Sequence, residues 1–448
     1  MRFILIVIFF QVLTISAQEV NKNIFGFATS NTFTYCDILD SSFSNKVSGI
    51  NPGILRFPGG AVGNFYHFGK AGYGFDFNEI DKYHSGKFPK RARGLEVSRK
   101  KNKQKHDYID DFISLLKKTN AKAVLVANPF IESDNDIISM IQKLYANNIE
   151  VVGVELGSEL SNRSYFLQGY TIDDYIVFSQ RCSKKIKDTF PEIETAVVAA
   201  PLGKRSGHRH NIWNSKLASL NFYDAIIIHS YAKVIKGKTL DGQMVDEELE
   251  SKNKTKNFEI YKDRILNYFN KEYSIEIEQY VDIFNKPIWV TEWNLQMSKT
   301  TGNTLLQSLF VAQYFLEILS NPDLSFIELT SYHNLGGRDF SGSIFRGNKD
   351  RTEIQSTYYP IKMIGKIFKN KVVKVKKERT QDIYLYTCYD KSNKEVLRYT
   401  LDWKTYEFKC QHTKPGFLSN VMVYKSINLF DTADNLGKLD FEIYEFSE

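Results

Sequence analysis

Eight short apolar segments, separated by stretches with helical periodicity, constrain the fold of this chain more than any other feature. The segments are rich in β-branched residues and alternate little between apolar and polar positions, which is typical of parallel strands covered on both faces. They are Ile24–Thr29, Ile54–Phe57, Lys122–Asn128, Val151–Gly157, Glu194–Ala200, Ala225–Tyr231, Pro287–Glu292 and Ser325–His333.

Helical periodicity fills most of the intervals between these segments. In one of them, Ile109, Phe112 and Leu115 share a single stripe. Strands that alternate with helices form βα units, and eight such units close into a (β/α)8 TIM barrel. A doubly wound open sheet is the rival architecture, but no glycine-rich phosphate loop follows the first strand. The predicted helices are Asp107–Lys118, Asp134–Ala146, Ile172–Phe190 and Thr304–Leu319.

The pattern changes near Lys371, where short strands with alternating polarity replace the helices. Examples are Asp382–Tyr389, Val396–Asp402 and Leu439–Phe446. Such alternation predicts a small antiparallel β-sandwich packed on the barrel. A chain of 448 residues is long enough for a large barrel and an accessory module of this kind. We therefore predict a catalytic barrel over residues 18–370 and a β-sandwich over residues 371–448.

The N-terminal residues have the features of a signal peptide. Arg2 supplies a positive charge, and an apolar run follows from Phe3 to Leu13. Ser16 and Ala17 then offer a small-residue cleavage site. The apolar run is too short for a stable membrane span, and no later segment is long and apolar enough to cross a bilayer. We expect residues 1–17 to be removed and the mature protein to be secreted or periplasmic, without membrane insertion.

The four cysteines, Cys36, Cys182, Cys388 and Cys410, are too few and too scattered for a disulfide framework or a zinc site. Cys388 and Cys410 both lie in strand-like sequence near the C-terminus. A bridge between them in an oxidising compartment and two free buried thiols are both consistent with that pattern.

Positive charge is concentrated in one segment of the chain. The net charge is +7, and between Lys87 and Lys105 nine Lys or Arg residues stand against one acid, Glu96. A solvated loop and a contact surface for a polyanion are both consistent with such a run. Nucleic acid does not fit an exported protein, so the polyanion would be an acidic or sulfated glycan.

Two glutamates stand at the ends of predicted strands. Functional groups of a (β/α)8 barrel gather at the C-terminal face, where the βα loops meet. Glu159 follows strand 4 and Glu292 ends strand 7, so both belong to one barrel mouth. A lone glutamate after a strand is usually a cap or an ion-pair partner. Retaining glycoside hydrolysis needs two carboxyl groups, one to protonate the leaving oxygen and one to attack the anomeric carbon, and the pair favours that chemistry.

Four motifs resemble those of the clan A glycoside hydrolases, most of all their α-L-arabinofuranosidase and heparanase/β-glucuronidase branches. The resemblance covers roughly residues 24–368, and barrel plus sandwich is also the architecture of that group. It implies that Glu159 is the acid/base and Glu292 the nucleophile. The motifs are Leu55–Gly60 on strand 2, Glu155–Glu159 on strand 4, His229–Tyr231 on strand 6 and Pro287–Asn294 on strand 7.

The resemblance also implies a subsite around the bond to be cut. In the family, the tyrosine at the position of Tyr231 hydrogen-bonds the nucleophile. A structural hydrogen bond across the mouth is the alternative role for Arg56 and Asn128, and packing is the alternative for Trp293. The implied subsite residues are Arg56, Asn128, His229, Tyr231 and Trp293.

One position departs from the family's pattern. The family usually has Asn just before the acid/base, where its amide contacts the 2-hydroxyl of the sugar, but this chain has Ser158. Serine is shorter and offers one hydroxyl instead of an amide. A substrate with an altered C2 position, or a bridging water, would accommodate Ser158 as a substrate-binding residue.

His208 and His210 form an H-x-H pattern in a basic segment after strand 5. No clustered carboxylate or cysteine accompanies them, so we predict no metal ion there, and no cofactor elsewhere. We interpret the segment as a basic lip of the barrel mouth. Together with the run that begins at Lys87, it favours an anionic polysaccharide as the substrate.

The sequence thus favours a retaining glycoside hydrolase that acts on a polysaccharide or its oligosaccharides. A carbohydrate-binding barrel without turnover is the non-enzymatic alternative, and Ser158 is the feature that supports it. A polysaccharide lyase is a third hypothesis, with Tyr332, His333 and the basic segments as candidate groups.

Overall fold

The computed structural model describes residues 19–447, with the exception of 85–86, 102, 132, 236, 239–243, 246–253, 297–300, 338–341, 349–350 and 425–440. The predicted signal peptide, residues 1–17, lies outside the described part of the chain. None of the described helices combines the length and the apolar character needed to cross a bilayer.

Eight parallel strands close into a barrel, which confirms the predicted fold class and excludes the open sheet. The strands are β1 (Gly26–Ala28), β2 (Ile54–Phe57), β3 (Lys122–Val126), β4 (Val151–Glu155), β5 (Glu194–Val198), β6 (Ala225–Ala232), β7 (Ile288–Leu295) and β8 (Ile327–Tyr332). They follow one another around the barrel in chain order, and β8 pairs with β1. Each observed strand overlaps one predicted segment.

Helices cover the outside of the barrel and decorate its loops. In the described chain they are α1 (Thr32–Tyr35), α2 (Ser41–Ile50), α3 (Phe77–Tyr83), α4 (Lys87–Lys101), α5 (Tyr108–Thr119), α6 (Asn135–Tyr145), α7 (Arg163–Phe166), α8 (Ile172–Thr189), α9 (Arg209–Ala218), α10 (Lys254–Asn267), α11 (Tyr273–Phe284), α12 (Leu305–Ser320), α13 (Tyr358–Ile364) and α14 (Lys366–Lys369). The four predicted helices correspond to α5, α6, α8 and α12.

Helix α5 shows why these sequences form the barrel wall. It begins after Asp107, whose carboxylate accepts a hydrogen bond from the Ile109 backbone N–H. The predicted stripe is buried, and Phe112 stacks on Phe57 of β2 with ring centroids 4.9 Å apart. The helix ends at Asn120 in the left-handed conformation.

The chain after α14 forms the predicted small antiparallel β domain. Its strands are β9 (Lys374–Thr380), β10 (Ile383–Tyr389), β11 (Glu395–Asp402), β12 (Glu407–His412), β13 (Leu418–Tyr424) and β14 (Phe441–Ser447). They make one six-stranded sheet in sequential order. Trp403 donates a hydrogen bond to Gln313 of α12, and Tyr399 donates one to the Met363 carbonyl of α13. These contacts fix one face of the sheet on the barrel.

Short strands complete the described structure. Gly237–Lys238 pairs with Met244–Val245, and Gly336–Gly337, Phe345–Asn348 and Arg351–Ile354 make a three-stranded sheet.

All four cysteines are free and buried. Cys388 lies on β10 and Cys410 on β12, with β11 between them. Of the two alternatives for this pair, the structure therefore shows free thiols.

The basic run that begins at Lys87 is a helix, α4, instead of a loop. It buries Ala92 and Leu95 three residues apart on one face, and lysine and arginine are themselves good helix formers. Arg99, one turn further along, donates to the Ala71 carbonyl. The many charged residues in this segment made its apolar face difficult to recognise from the sequence. Helix α4 belongs to the connection after β2, so it lies on the C-terminal side of the barrel.

Candidate active site

Glu159 stands on a tight turn directly after β4. Gly157 has a φ of +85°, and a Cβ there would lie 2.4 Å from Leu160 Cδ1, so the turn requires glycine. Glu159 has a φ of +52°, a left-handed conformation that costs a non-glycine residue about 1 kcal/mol. Asn64 holds the turn by accepting from Ser158 N at 2.8 Å and donating to Ser158 O at 2.6 Å. Strain maintained by such contacts is typical of functional sites.

Glu292 faces the barrel mouth from β7. Successive side chains of a strand point to opposite faces, so its neighbour Trp293 points into the barrel wall. The Trp293 ring stacks on Tyr314 with centroids 3.7 Å apart, and its Nε1 donates to Thr330. Trp293 is fully buried there. The prediction that Trp293 lines the sugar subsite is therefore wrong, and it is a packing residue.

The two glutamates approach each other across the mouth, with His229 of β6 between them. His229 Nδ1 lies 3.0 Å from Glu159 Oε1 and 3.6 Å from Glu292 Oε2. One oxygen of each carboxylate and this nitrogen all lie within 4.8 Å of one another. The structure thus brings together three of the predicted site residues.

The surroundings of the two carboxylates differ. The Glu159 side chain is 39% exposed, and its Oε2 accepts a hydrogen bond from Asn162 at 2.9 Å. The Glu292 side chain is only 6% exposed. The Glu159 carboxyl group can exchange protons with solvent, whereas the Glu292 carboxyl group is enclosed by hydrogen-bond donors of the protein.

Arg56 is the main donor to Glu292. Its Nη1 donates to Glu292 Oε1 at 2.9 Å, and its Nε and Nη2 donate to the two oxygens of Glu155 at 2.5 and 2.7 Å. Arg56 and Glu155 have no exposed surface. Thr291 also donates to Glu155, at 3.2 Å. One guanidinium thus holds two buried carboxylates in place.

Electrostatics keep Glu292 ionised. Burial alone would raise its pKa, but His229, His333 and Arg56 around it outweigh burial and hold the pKa well below the usual range. For His229, burial opposes protonation, yet the charges of Glu292 and Glu159 prevail and raise its pKa. His229 can therefore donate its Nδ1 proton to Glu159.

Tyr231 takes the predicted place beside Glu292, donating its hydroxyl hydrogen to Oε2 at 2.9 Å. The Tyr231 oxygen also lies 2.8 Å from Nδ1 of His333. Since the tyrosine has one hydrogen, the His333 nitrogen is the donor to it. His333 directly follows β8 and extends the hydrogen bonds around Glu292. Sequence reasoning included it only under the lyase hypothesis, although its position at a strand end was the available signal.

Three predicted subsite residues lie below the mouth or are engaged elsewhere. Arg56 and Ser158 have no exposed surface, and Arg56 Nη2 lies 3.5 Å from Ser158 Oγ. Asn128 donates to the Tyr66 carbonyl and accepts from Phe130 N. The structural alternative therefore applies to Arg56 and Ser158, which have no exposed surface, whereas Asn128 stays a predicted subsite residue.

Glu159, His229 and Glu292 are also the described groups that could together hold a metal ion, with two carboxylate oxygens and one nitrogen. Arg56 already supplies a positive charge to Glu292 at 2.9 Å. The H-x-H pair does not form a comparable cluster. His208 caps α9, while His210 is buried with its Nδ1 3.3 Å from the Pro201 carbonyl.

No protein-family model matches the chain, and no curated protein sequence matches it. Several solved structures match the chain in fold. The α-L-arabinofuranosidase from Thermotoga maritima, in complex with arabinose, aligns with a TM-score of 0.57 at 12% identity, over 96% of this chain and 94% of that one. The GH51 arabinofuranosidase from Xanthomonas axonopodis pv. citri gives 0.56 at 11%, over 92% and 86%.

A third structure is the 4-O-α-L-rhamnosyl-β-D-glucuronidase from Fusarium oxysporum 12S. It gives a TM-score of 0.52 at 12% identity, over 92% of this chain and 82% of that one. These neighbours are clan A glycoside hydrolases. The predicted resemblance is therefore confirmed at the level of the fold: the chain is built like these enzymes over nearly its whole length.

Proposed function

We propose that the protein is a retaining glycoside hydrolase in which Glu159 is the acid/base and Glu292 the nucleophile. The observation that carries the proposal is the approach of their carboxylate oxygens to within 4.8 Å in unlike surroundings. Retaining enzymes place the two carboxyl groups about 5–5.5 Å apart, whereas inverting enzymes need about 6.5–9.5 Å for a water between them.

The geometry supports a double displacement. Glu159 gives a proton to the glycosidic oxygen while Glu292 attacks the anomeric carbon, and the leaving sugar departs as an alcohol. Glu159 then takes a proton from water, whose oxygen attacks the same carbon and releases Glu292. Arg56 and Tyr231 orient the attacking carboxylate through hydrogen bonds of 2.9 Å each. His229 faces Glu159 and can steady its charge after the first proton transfer.

A panel of neutral, uronic and sulfated polysaccharides tests the proposal, with release of reducing ends as the readout. We expect cleavage of at least one member. We also expect a cyclitol epoxide or fluorosugar of matching configuration to label Glu292 covalently, as peptide mapping would show. Binding of a glycan without any cleavage or labelling would instead establish the carbohydrate-binding barrel.

We further propose that the substrate is an acidic glycan. Lys90 and Arg91 are exposed on α4, on the side of the barrel where the active site opens. Burial lowers the pKa of His333, and the charges of Arg56, His229 and Arg91 lower it further, while Glu292 opposes them. The charge of Arg91 therefore reaches the site. The Fusarium oxysporum neighbour was solved in complex with Rha-GlcA.

Replacing Arg91 with Gln should reduce kcat/KM on an acidic glycan by about 5-fold at low salt, since one ion pair in water contributes about 1 kcal/mol. The loss should shrink as salt is added, and a neutral glycan should be cleaved at the wild-type rate. Lys101→Gln, at the far end of the same helix, is the matched control. An equal loss of kcat/KM on both glycans would refute the proposal that the substrate is an acidic glycan.

We also infer that residues 1–17 direct export. N-terminal sequencing of the protein recovered from outside the cytoplasm would then begin at Gln18.

A further inference from the structure

A second cavity opens beside the active site, on the same face of the barrel. It has a volume of about 320 Å³ and lies between the connections that follow β2, β3 and β4. This volume is within the range of small-ligand sites. Its walls include Lys82, Tyr83, Phe130, Gln168, Tyr170 and Asp174.

Stacked aromatic rings make one wall of this cleft. Tyr83 and Phe130 are parallel to within 21° with centroids 4.1 Å apart, and Phe130 stacks on Tyr165 at 5.6 Å. Tyr170 meets Phe130 edge-on at 5.4 Å. Tyr83, Phe130 and Tyr170 are only partly buried, which leaves aromatic surface available to a ligand.

The cleft is connected to the turn that carries Glu159. The hydroxyl of Tyr165 accepts a hydrogen bond from Asn64 at 2.9 Å. Asn64 is the residue that fixes the backbone of Ser158 through two further hydrogen bonds. The aromatic wall and the acid/base therefore share one rigid support, on the β2–β4 side of the mouth. Glu292 and its partners Tyr231 and His333 come from β6, β7 and β8.

We propose that this cleft binds the leaving-group sugar of the glycan, with a pyranose ring packed on the face of Tyr83 that Phe130 does not cover. This assignment rests on the proposed hydrolase function. An acid/base must stand on the leaving-group side of the bond, because it protonates the oxygen that departs. The hydrogen bonds from Tyr165 through Asn64 to Ser158 join the cleft to the turn that carries Glu159, which supports its assignment to that side.

The chemistry of the walls fits a sugar. The C–H face of a pyranose packs on aromatic rings, and its hydroxyl edge needs polar partners. Lys82 and Gln168 are exposed at the rim and supply such partners. The Asp174 carboxylate accepts from the Thr171 N–H and hydroxyl, which holds it at the first turn of α8.

The test compares two substrates that differ only in the leaving group. One is the glycan that the wild-type protein cleaves fastest, and the other is the glycosyl fluoride of the sugar that it transfers. Fluoride is too small to use the cleft. Tyr83→Ala should lower kcat/KM on the glycan by about 10-fold and change the value for the fluoride by less than about 2-fold, while Tyr83→Phe, which keeps the ring, should resemble wild type.

Phe166→Ala is the matched control. Phe166 belongs to α7, in the connection after β4 that also supplies Gln168 and Tyr170, but it is 48% exposed and does not line the cavity. Equal losses on both substrates, or no loss on the glycan, would overturn the assignment.

A wild-type protein that cleaves neither substrate would overturn the proposed hydrolysis instead. Titration with the panel glycans then tests the cleft alone, and binding that Tyr83→Ala leaves unchanged would refute it.

Discussion

Glu292→Gln is expected to lower kcat on the glycan by more than ~10⁴-fold, the scale of loss when a covalent nucleophile is removed. The amide keeps the size of the side chain, its oxygen can still accept from Arg56, and its NH2 can donate to the Tyr231 oxygen, so the fold should persist. It cannot form the glycosyl–enzyme ester. Steady-state kinetics measure the loss of turnover. Mass spectrometry of the protein after reaction with a fluorosugar measures the loss of the covalent glycosyl–enzyme.

Glu276→Gln is the matched control for that substitution. Glu276 is a half-buried glutamate that accepts from Ser230, and burial raises its pKa to about 7, with Ser230 and Lys233 acting in the opposite direction. It is therefore protonated in about half of the molecules at pH 7 and in most of them at about pH 6, where an amide resembles its native state and activity should be retained. A Glu292→Gln protein with appreciable turnover would exclude Glu292 as the nucleophile.

The Glu159 variant separates the two roles. General acid–base catalysis contributes about 10²–10⁴-fold, so Glu159→Gln should lose that factor on the glycan, whose leaving alcohol needs a proton. With a glycosyl fluoride, the first step needs little protonation, and the glycosyl–enzyme should accumulate at Glu292. Equal losses with both leaving groups would argue against an acid/base role.

Arg56→Met is expected to cost about 3–5 kcal/mol of folding free energy at pH 7, because it leaves two buried carboxylates without their counter-charge. The same change should raise the pKa of Glu292, since Arg56 is one of the charges that hold it down. In the wild type, the pKa of Glu292 is lower in the folded protein than in the unfolded chain, where it is about 4.3. Ionised Glu292 therefore stabilises the fold at pH values above the pKa of the unfolded chain. This stabilisation is lost as the pH falls through the pKa of the folded protein.

In the Arg56 variant this dependence on pH should weaken. His229 and His333 still lower the pKa of Glu292, but it lies closer to the unfolded value, so less stability should be lost as the pH falls. The acidic limb of kcat/KM should move to higher pH by the same shift. Chemical denaturation and pH–rate profiles measure both effects. Arg93→Met removes an exposed pair with Asp81 and should cost no more than about 1 kcal/mol; an equal cost for the two variants would refute the argument.

Local patterns in the sequence were sufficient for the barrel and for the two glutamates. Strand and helix periods depend on neighbouring residues, so segments such as Ile54–Phe57 could be recognised one by one. Strand alternation could also have shown that Glu292 and Trp293 point to opposite faces, although the family resemblance suggested otherwise. The apolar spacing of Ala92 and Leu95 was likewise present in the sequence, beneath a strong charge signal.

Other features depend on contacts between distant segments. Arg56 and Ser158 are 102 residues apart, and only the closed barrel shows that both lie below the mouth without solvent contact. Asn128 donates to the Tyr66 carbonyl, which comes from another connection. The aromatic cleft draws on three separate connections, none of which has a distinctive sequence by itself.

The placement of the cleft and of α4 has an evolutionary consequence. Both are built from connections after β2, β3 and β4, while Glu292, Tyr231 and His333 belong to strands from the opposite half of the chain. Substitutions at exposed positions of α4 and of the cleft rim can therefore change which glycan is accepted without altering Glu292, Tyr231 or His333. Specificity can then be inherited separately from the nucleophile, and an exchange of residues 77–101 between homologues, which keeps Arg56 and Asn64, would transfer the preference for a substrate.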